Sequence, residues 1–342
     1  VTFKVQIRQA EQTIEVGDDQ TILDAALDAG VDYPFGCQSG NCGACKSKLL
    51  SGTVSLREYS RYALTDDERR GGLVLACQSV PTSDAAVAWL ELDETVMHIQ
   101  RELDCTVAGI DEATHDIRIV RLRIDEGGPY DFSAGQYARV RFPGQPARDF
   151  SMATRPGETE LQFHVRAMDG GSVSHFVKNQ LKVGDKVRVD GPMGLAFLRH
   201  EHKGPVLAVA GGSGLAPIKS IVETALIDKN FQQPVHLYFG VRDERDLYLD
   251  EHFQALAAKH PNLTFVPVLS EPAGDTARRT GFLHEAIAQD LTDLDGWKVY
   301  LAGPPVMVEA VAALAETLGA RAADIHADPF YTEHEMTAKA GM

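Results

Sequence analysis

The run Cys37-Gln38-Ser39-Gly40-Asn41-Cys42-Gly43-Ala44-Cys45 limits what this chain can become more than any other stretch. It spaces three cysteines as C-x4-C-x2-C, and Cys77 stands far downstream in Leu75-Ala76-Cys77-Gln78. Thiolates spaced in this way hold a [2Fe–2S] cluster, with three ligands from one loop and the fourth from a distant segment. Gly36, Gly40 and Gly43 free the loop backbone to turn its N–H groups toward an anionic sulfur site. A structural zinc site usually shows two C-x2-C pairs, and Cys77 has no close cysteine or histidine. Disulfides are disfavoured by a total of five cysteines and no secretory signal. The fifth cysteine, Cys105, alternates with Leu103 and Val107 as a strand residue would. The expected ligands are therefore Cys37, Cys42, Cys45 and Cys77.

A chain of 342 residues has room for about two to three domains. Its 44% hydrophobic and 24% charged residues are those of an ordinary globular protein. No stretch of about 18 consecutive apolar residues is present, the length a membrane-spanning helix needs. The start, Val-Thr-Phe-Lys-Val, reads as strand alternation rather than a targeting segment, so a cytoplasmic enzyme is expected. A net charge of −16 argues against nucleic acid, whose phosphates would be repelled. It allows a basic protein partner steered by opposite charge, although an acidic surface also serves solubility alone.

Residues 1–97 read as one unit. Thr2 to Ile7 and Thr13 to Val16 alternate as short strands. Thr21 can cap a helix whose Leu23, Ala26 and Leu27 share a face, and Gly30 closes it. Strands near 46–50 and 85–92 and a helical turn at 65–68 complete the pattern. It resembles the β-grasp fold of plant-type ferredoxins, and the cysteine loop carries the resemblance. Residues 93–102 are polar and read as a link.

Residues 103–203 hold evenly spaced strands at 103–110, 117–124, 137–142, 149–153 and 161–165, the pattern of a small antiparallel barrel. Gly170-Gly171 then opens a helix at Ser172-Val173-Ser174, where free N–H groups and the helix dipole can meet an anion. Upstream stands Arg148-Asp149-Phe150-Ser151, which resembles the Arg-x-Tyr-Ser flavin motif of the ferredoxin-NADP reductase superfamily. The resemblance implies that Arg148 binds the flavin pyrophosphate with the Gly171, Ser172 and Ser174 turn. It also implies that Phe150 packs beside the isoalloxazine and Ser151 hydrogen-bonds near N5. His164 and Arg166 lie on the next strand, where that family lines its flavin site. Phe150 departs from the family's tyrosine and removes one hydroxyl. Gly191-Pro192-Met193-Gly194 is similar to a turn placed before the family's nucleotide domain.

Residues 204–342 change period. Apolar runs at 205–210, 235–239, 263–268 and 298–301 alternate with helices at 215–227, 250–259 and 306–318, which implies a parallel sheet with right-handed crossovers. Two strand-to-helix turns stand out. Gly211-Gly212-Ser213-Gly214 is not the usual G-x-G-x-x-G fingerprint, yet it is similar to the same superfamily's pyridine-nucleotide loop. Ala302-Gly303-Pro304-Pro305 resembles that family's Cys-Gly-Pro-Pro turn beside the nicotinamide, with alanine for cysteine. After the second strand, Asp243 favours a free ribose 2′-hydroxyl and so NADH, whereas Arg242 and Arg245 could hold a phosphate. The family lays a C-terminal aromatic against the flavin, which singles out Phe330 with Tyr331 second; casual packing of the tail is the alternative. Residues 333–342 are polar and expected to be mobile.

Taken in order, the three parts resemble the reductase components of multicomponent aromatic-ring dioxygenases, with the benzoate dioxygenase type nearest. The resemblance implies a β-grasp ferredoxin, an antiparallel flavin barrel binding FAD, and an α/β domain binding NADH. It implies electrons passing from NADH through FAD and the [2Fe–2S] cluster to a Rieske-type terminal oxygenase, with no catalytic acid or base. A monomer is the default expectation. Soluble monooxygenase reductases and the reductase of a deoxysugar-forming enzyme pair share the same order and remain open.

Overall fold

Alternation of apolar and polar residues in the first ninety positions builds one small sheet. A computed structural model describes residues 2–36, 38–40, 43–60, 63–64, 66–90, 98–168 and 170–331, which fall into two compact units, one before the expected link and one after it. Most of the expected link (93–97) and the tail 333–342 lie outside the described residues.

The first unit contains β1 (Thr2–Ile7), β2 (Gln12–Gly17), α1 (Ile22–Asp28), β3 (Lys46–Ser51), β4 (Val54–Leu56), α2 (Asp66–Arg70), β5 (Leu73–Leu75), β6 (Ser79–Pro81) and β7 (Ala85–Trp89). Five strands form a sheet in the order β2-β1-β7-β3-β5, with β1 parallel to β7 and the other neighbours antiparallel, while β4 and β6 make a side ribbon. This is the expected β-grasp. Val5, Ile7, Val16 and Val87 on the sheet and Ile22, Leu23 and Ala26 on α1 form one buried core. Thr21 caps α1 by accepting the Asp24 N–H at 3.1 Å, a contact whose loss typically costs about 1 kcal/mol. Gly30 follows the helix in the left-handed region, at φ 71°.

The second unit begins with β8 (Arg101–Glu112), β9 (Ile117–Glu126), β10 (Tyr137–Arg141), β11 (Arg148–Ser151), β12 (Glu160–Arg166), α3 (Ser172–Asn179) and β13 (Lys186–Met193). The six strands run in the order β11-β10-β13-β8-β9-β12, all neighbours antiparallel. An antiparallel bridge between Met152 and Phe163 joins the two edges into a barrel. Strand β13 alternates in burial from Lys186 to Gly191, and Gly191-Pro192-Met193 ends it, so only Gly194 of the expected turn lies beyond the strand.

The same unit continues with β14 (Val206–Gly211), α4 (Leu215–Glu223), β15 (Val235–Val241), α5 (Asp250–Lys259), β16 (Leu263–Leu269), β17 (Arg279–Thr280), α6 (Leu283–Asp290), β18 (Lys298–Gly303), α7 (Pro305–Thr317) and β19 (Ile325–Pro329). These strands form a parallel sheet ordered β17-β16-β15-β14-β18-β19. Every residue of β14 is buried, as expected for a central parallel strand covered on both faces. After β14 the chain first adds strands on one side and then returns to the other at β18. Open parallel sheets bind ligands at such a switch point, outside the carboxyl ends of the two strands. The expected 215–227 helix is α4 followed by a wider turn of π-helix over Thr224–Asp228. Strand β19 carries Asp328 and Pro329, so this part of the tail is built into the sheet rather than frayed.

Candidate functional site

Of the four expected cluster ligands, Cys45 and Cys77 are described and both are buried; Cys37 and Cys42 lie outside the described residues. Strand β3 positions Cys45 just before its first residue, and a single 3-10 turn after β5 presents Cys77. The Cys77 N–H points at Cys45 Sγ at 3.4 Å, and Gln78 Nε2 lies 3.6 Å from Cys77 Sγ. N–H groups directed at sulfur stabilise thiolates and tune a cluster held by them. The loop is pressed closely against its neighbours. At Gly40, in the left-handed region at φ 75°, an added Cβ would stand 2.8 Å from Glu58 O and 2.9 Å from Gln78 Cγ. These donors and this glycine cradle fit an iron–sulfur cluster.

The flavin motif occupies β11. Ser151 is buried at its end, and Phe150 is half-buried, edge-on to Phe142 with ring centroids 6.1 Å apart. Arg148 is also half-buried and donates from Nη1 to Ala147 O at 3.0 Å. The expected anion turn is present at the start of α3, capped by Gly171 without a side-chain bond. Ser174 shapes this turn: its hydroxyl donates to Gly171 O and accepts the Met168 N–H, both at 3.1 Å. A Cβ at Gly171 would lie 2.7 Å from that hydroxyl oxygen. Ser172 is the first residue of α3, whose opening N–H groups have no partner within the helix. A helix start of this kind, with Arg148 on a barrel strand, supplies the donor chemistry a flavin pyrophosphate needs.

His164 and Arg166 alternate along β12 away from the barrel core. His164 is 4% exposed, and its Nδ1 lies 3.0 Å from the Tyr248 hydroxyl. Burial pushes its pKa down to about 3, so the ring stays neutral. Arg166 donates from Nε to Asp116 Oδ2 at 2.8 Å. Burial alone would raise the Asp116 carboxyl, but the Arg166 and Thr114 hydrogen bonds hold it below its ordinary value.

The two glycine-rich turns, far apart in sequence, meet at the switch point. Gly211 ends β14 and Gly212 to Gly214 follow it; Gly303 ends β18, which pairs with β14 up to Ala210 and Ala302, and Pro304 and Pro305 come next. A Cβ at Gly214 would stand 2.1 Å from Ala302 O, and one at Gly303 would stand 2.8 Å from Gly211 O. At Gly211 it would lie 2.6 Å from Met307 Sδ. Backbone therefore lies on backbone, which only glycine permits here. Ser213 sits between them in the short 3-10 turn that leads into α4, and Pro304 and Pro305 start α7. At the end of β15, Asp243 accepts the Ala273 N–H at 3.1 Å and caps the turn ending at Asp246. The Ala273 and Glu244 N–H groups hold its carboxyl below the ordinary range. Arg242 is half-exposed, 3.5 Å from Asp246.

A residue that sequence reasoning did not single out joins the flavin and nucleotide halves. Ser151 Oγ donates to Asp328 Oδ2 at 3.2 Å, and the Phe330 N–H donates to Gly303 O at 2.8 Å. One short strand, β19, thus brings the end of the flavin motif, the expected aromatic and the second glycine turn together. With its proton given to Asp328, the Ser151 oxygen keeps lone pairs to accept from a ligand N–H. No spacing in the sequence marks Asp328, because its partner lies on the opposite side of the barrel-to-sheet boundary.

Comparison with known proteins gives three family matches in the same order. Residues 5–82 match a 2Fe-2S iron-sulfur cluster binding domain, 104–197 an oxidoreductase FAD-binding domain, and 208–313 an oxidoreductase NAD-binding domain. The chain is 46% identical over 312 residues to the ferredoxin–NAD(P)(+) reductase component of the naphthalene 1,2-dioxygenase/salicylate 5-hydroxylase systems of a Ralstonia species, covering 91% of this chain and 93% of that one. It is 40% identical to the corresponding reductase component of the Pseudomonas putida naphthalene 1,2-dioxygenase system, covering 96% and 99% of the two chains. Among solved structures, an Amycolatopsis cytochrome P450 reductase superposes with a TM-score of 0.75 at 35% identity, covering 96% of this chain and 99% of that one.

Proposed function

Because the chain belongs to the family of ferredoxin–NAD(P)(+) reductase components that join [2Fe–2S], FAD-binding and NAD-binding domains, we propose that it delivers electrons from NADH to the Rieske-type oxygenase of an aromatic-ring dioxygenase system. The observation that carries this reading is the line Ser151–Asp328–Phe330–Gly303, in which hydrogen bonds to β19 and to the residue after it connect the end of β11 with the second glycine turn. The bound flavin accepts electrons in a pair and the cluster carries them singly, a chemistry that belongs to the cofactors. The chain's own residues bind and orient. Arg148 and the α3 turn would hold the FAD pyrophosphate, Phe150 and Phe330 would flank the ring system, and Ser151 would hydrogen-bond near N5. Gly211 to Gly214 with Gly303 to Pro305 would seat the dinucleotide, and Cys37, Cys42, Cys45 and Cys77 would hold the cluster.

Charge supports NADH over NADPH: the anionic Asp243 stands at the end of β15, where it would repel a 2′-phosphate. A dioxygenase partner is favoured over a monooxygenase or deoxysugar partner by the identities. They are 46% and 40% to the naphthalene dioxygenase components, against 36% to a phenol hydroxylase P5 protein from Acinetobacter pittii and 37% to a deoxysugar dehydrase reductase from Yersinia. We place the protein in the cytoplasm as a monomer. The cytosol keeps thiols reduced and so available as ligands rather than paired as disulfides, and no described helix is long and apolar enough to cross a membrane.

Anaerobic titration with NADH, followed by absorption and EPR, tests the reading. Flavin bleaching together with a rhombic reduced-cluster signal is expected, at far lower nucleotide concentration for NADH than for NADPH. The reduced protein, mixed with an oxidised Rieske [2Fe–2S] protein of a naphthalene-type system, should reduce it. Transfer instead only to a di-iron phenol hydroxylase would overturn the choice of partner.

A further inference from the structure

Tyr248 belongs to no motif, yet it is 5% exposed and sits where the flavin barrel meets the nucleotide sheet. Its ring packs edge-on against Phe239 of β15, with centroids 5.6 Å apart, and against His164 of β12, at 5.3 Å. Its hydroxyl donates to Gly212 O at 3.2 Å and lies 3.0 Å from His164 Nδ1. A phenol has one proton to give. With that proton on Gly212 O, His164 must carry its own proton on Nδ1 and donate to the Tyr248 oxygen. His164 Nε2 is then an acceptor, and the Gln162 side chain, whose Oε1 stands 3.4 Å away, must present its NH2 rather than its oxygen to pair with it. Burial keeps both rings neutral, lowering His164 and raising Tyr248, so this arrangement holds across the working pH range.

Gly212 is the residue of the first nucleotide turn with left-handed backbone, at φ 54°. Its other side is close to β12 as well: a Cβ there would stand 3.3 Å from Arg166 Nη1. One strand of the flavin barrel therefore reaches the same glycine twice, directly through Arg166 and through Tyr248 from His164. Within the reading proposed above, we infer that Tyr248 is a positioning residue for nucleotide-to-flavin transfer. Its hydroxyl fixes the glycine turn relative to the flavin-bearing strand β12, and so sets the approach of the dihydronicotinamide.

The test uses Tyr248→Phe, which keeps the ring packing and removes only the hydroxyl, in the full-length holoprotein. Amide hydrogen exchange over residues 211–215, read on oxidised protein without nucleotide, should speed up by roughly five- to tenfold, the loss of one buried hydrogen bond. In anaerobic stopped flow, the limiting rate of flavin reduction by NADH should fall by a similar factor of about five to ten. Electron transfer from photoreduced flavin to the cluster should be unchanged. His164→Ala should produce the same loop exchange, and the double variant should be no worse than either single one, because both act on Gly212 through one contact. A variant with lower thermal stability but with exchange and limiting rate within twofold of the parent would overturn the inference. If NADH failed to reduce the parent protein, the proposed function would fall, while the exchange result would still decide whether Tyr248 holds the loop.

Discussion

At the scale of single residues, burial decides which titratable groups stay neutral. His164 stood out as a histidine on the flavin strand, yet it is enclosed and linked to Tyr248. Its pKa, near 3 when folded and near the ordinary 6.5 when unfolded, makes it a source of acid sensitivity. Below about pH 6.5 the unfolded chain binds a proton that the folded chain refuses, so stability falls as pH drops toward 3, and nothing changes above 6.5. By pH 5 this residue alone should have removed roughly 2 kcal/mol. Urea midpoints at pH 7.5 and pH 5.0 check it: His164→Gln should narrow the gap between them. An unchanged gap would mean that other histidines, such as the half-buried His326, whose pKa burial also lowers, carry the effect.

At the scale of elements, the glycine turns separate two kinds of constraint. Gly214 has ordinary helical backbone, φ −60°, so alanine suits its conformation. Only space forbids it, since the added carbon would meet Ala302 O at 2.1 Å and Gly303 N at 2.7 Å. Backbone cannot swing aside as a side chain can. Gly214→Ala should therefore push the two turns apart, weakening NADH binding at least about tenfold while flavin and cluster contents stay at parent level, as read by NADH titration and absorption. Gly212 reverses the case. Its φ is positive, but the nearest atom to an added Cβ is the end of Arg166, at 3.3 Å. Gly212→Ala should cost about 1–2 kcal/mol of folding stability as backbone strain, with NADH binding in the same titration within about threefold of the parent because no backbone atom blocks the added carbon.

At the scale of the molecule, the flavin barrel and the nucleotide sheet behave as one body although they are matched by separate families. Ile117, Ile119 and Ala134 of the barrel share a buried cluster with Leu215, Ile218 and Ile221 of α4. Polar contacts reinforce it: Ser220 Oγ donates to Thr154 O at 2.6 Å, and Lys219 Nζ donates to Ala153 O at 3.1 Å while pairing with buried Glu223 at 2.9 Å. Burial would raise the Glu223 carboxyl, but its bonds to His252 and Lys219 hold it below the ordinary value, so the charge persists. Lys219→Met leaves that carboxylate with His252 as its remaining charged partner among the described residues. It should destabilise the unit by about 2–4 kcal/mol. Because the core is shared, the flavin and nucleotide halves should still unfold together, checked by coincident denaturation curves for flavin release and far-UV dichroism.

What could be read from the sequence alone was whatever depends on neighbours along the chain. The C-x4-C-x2-C spacing, the Thr21 cap, the strand periods and the two glycine turns are local patterns; the cap, the strands and the turns stand where they were expected among the described residues, while Cys37 and Cys42 lie outside them. Local chemistry was enough because turn geometry and the facing of side chains are set within a few residues. Asp328, Tyr248 and Lys219 could not be found that way. Each matters through a partner on another element: Ser151, Gly212 with His164, and Ala153, respectively. Only the folding of the sheet against the barrel brings those atoms within hydrogen-bond range, and a hydrogen bond across such a boundary leaves no periodic trace in the sequence. His164 shows the same limit from the other side: its position on β12 was legible, but its environment, and so its charge, came from the residues the tertiary structure packed around it.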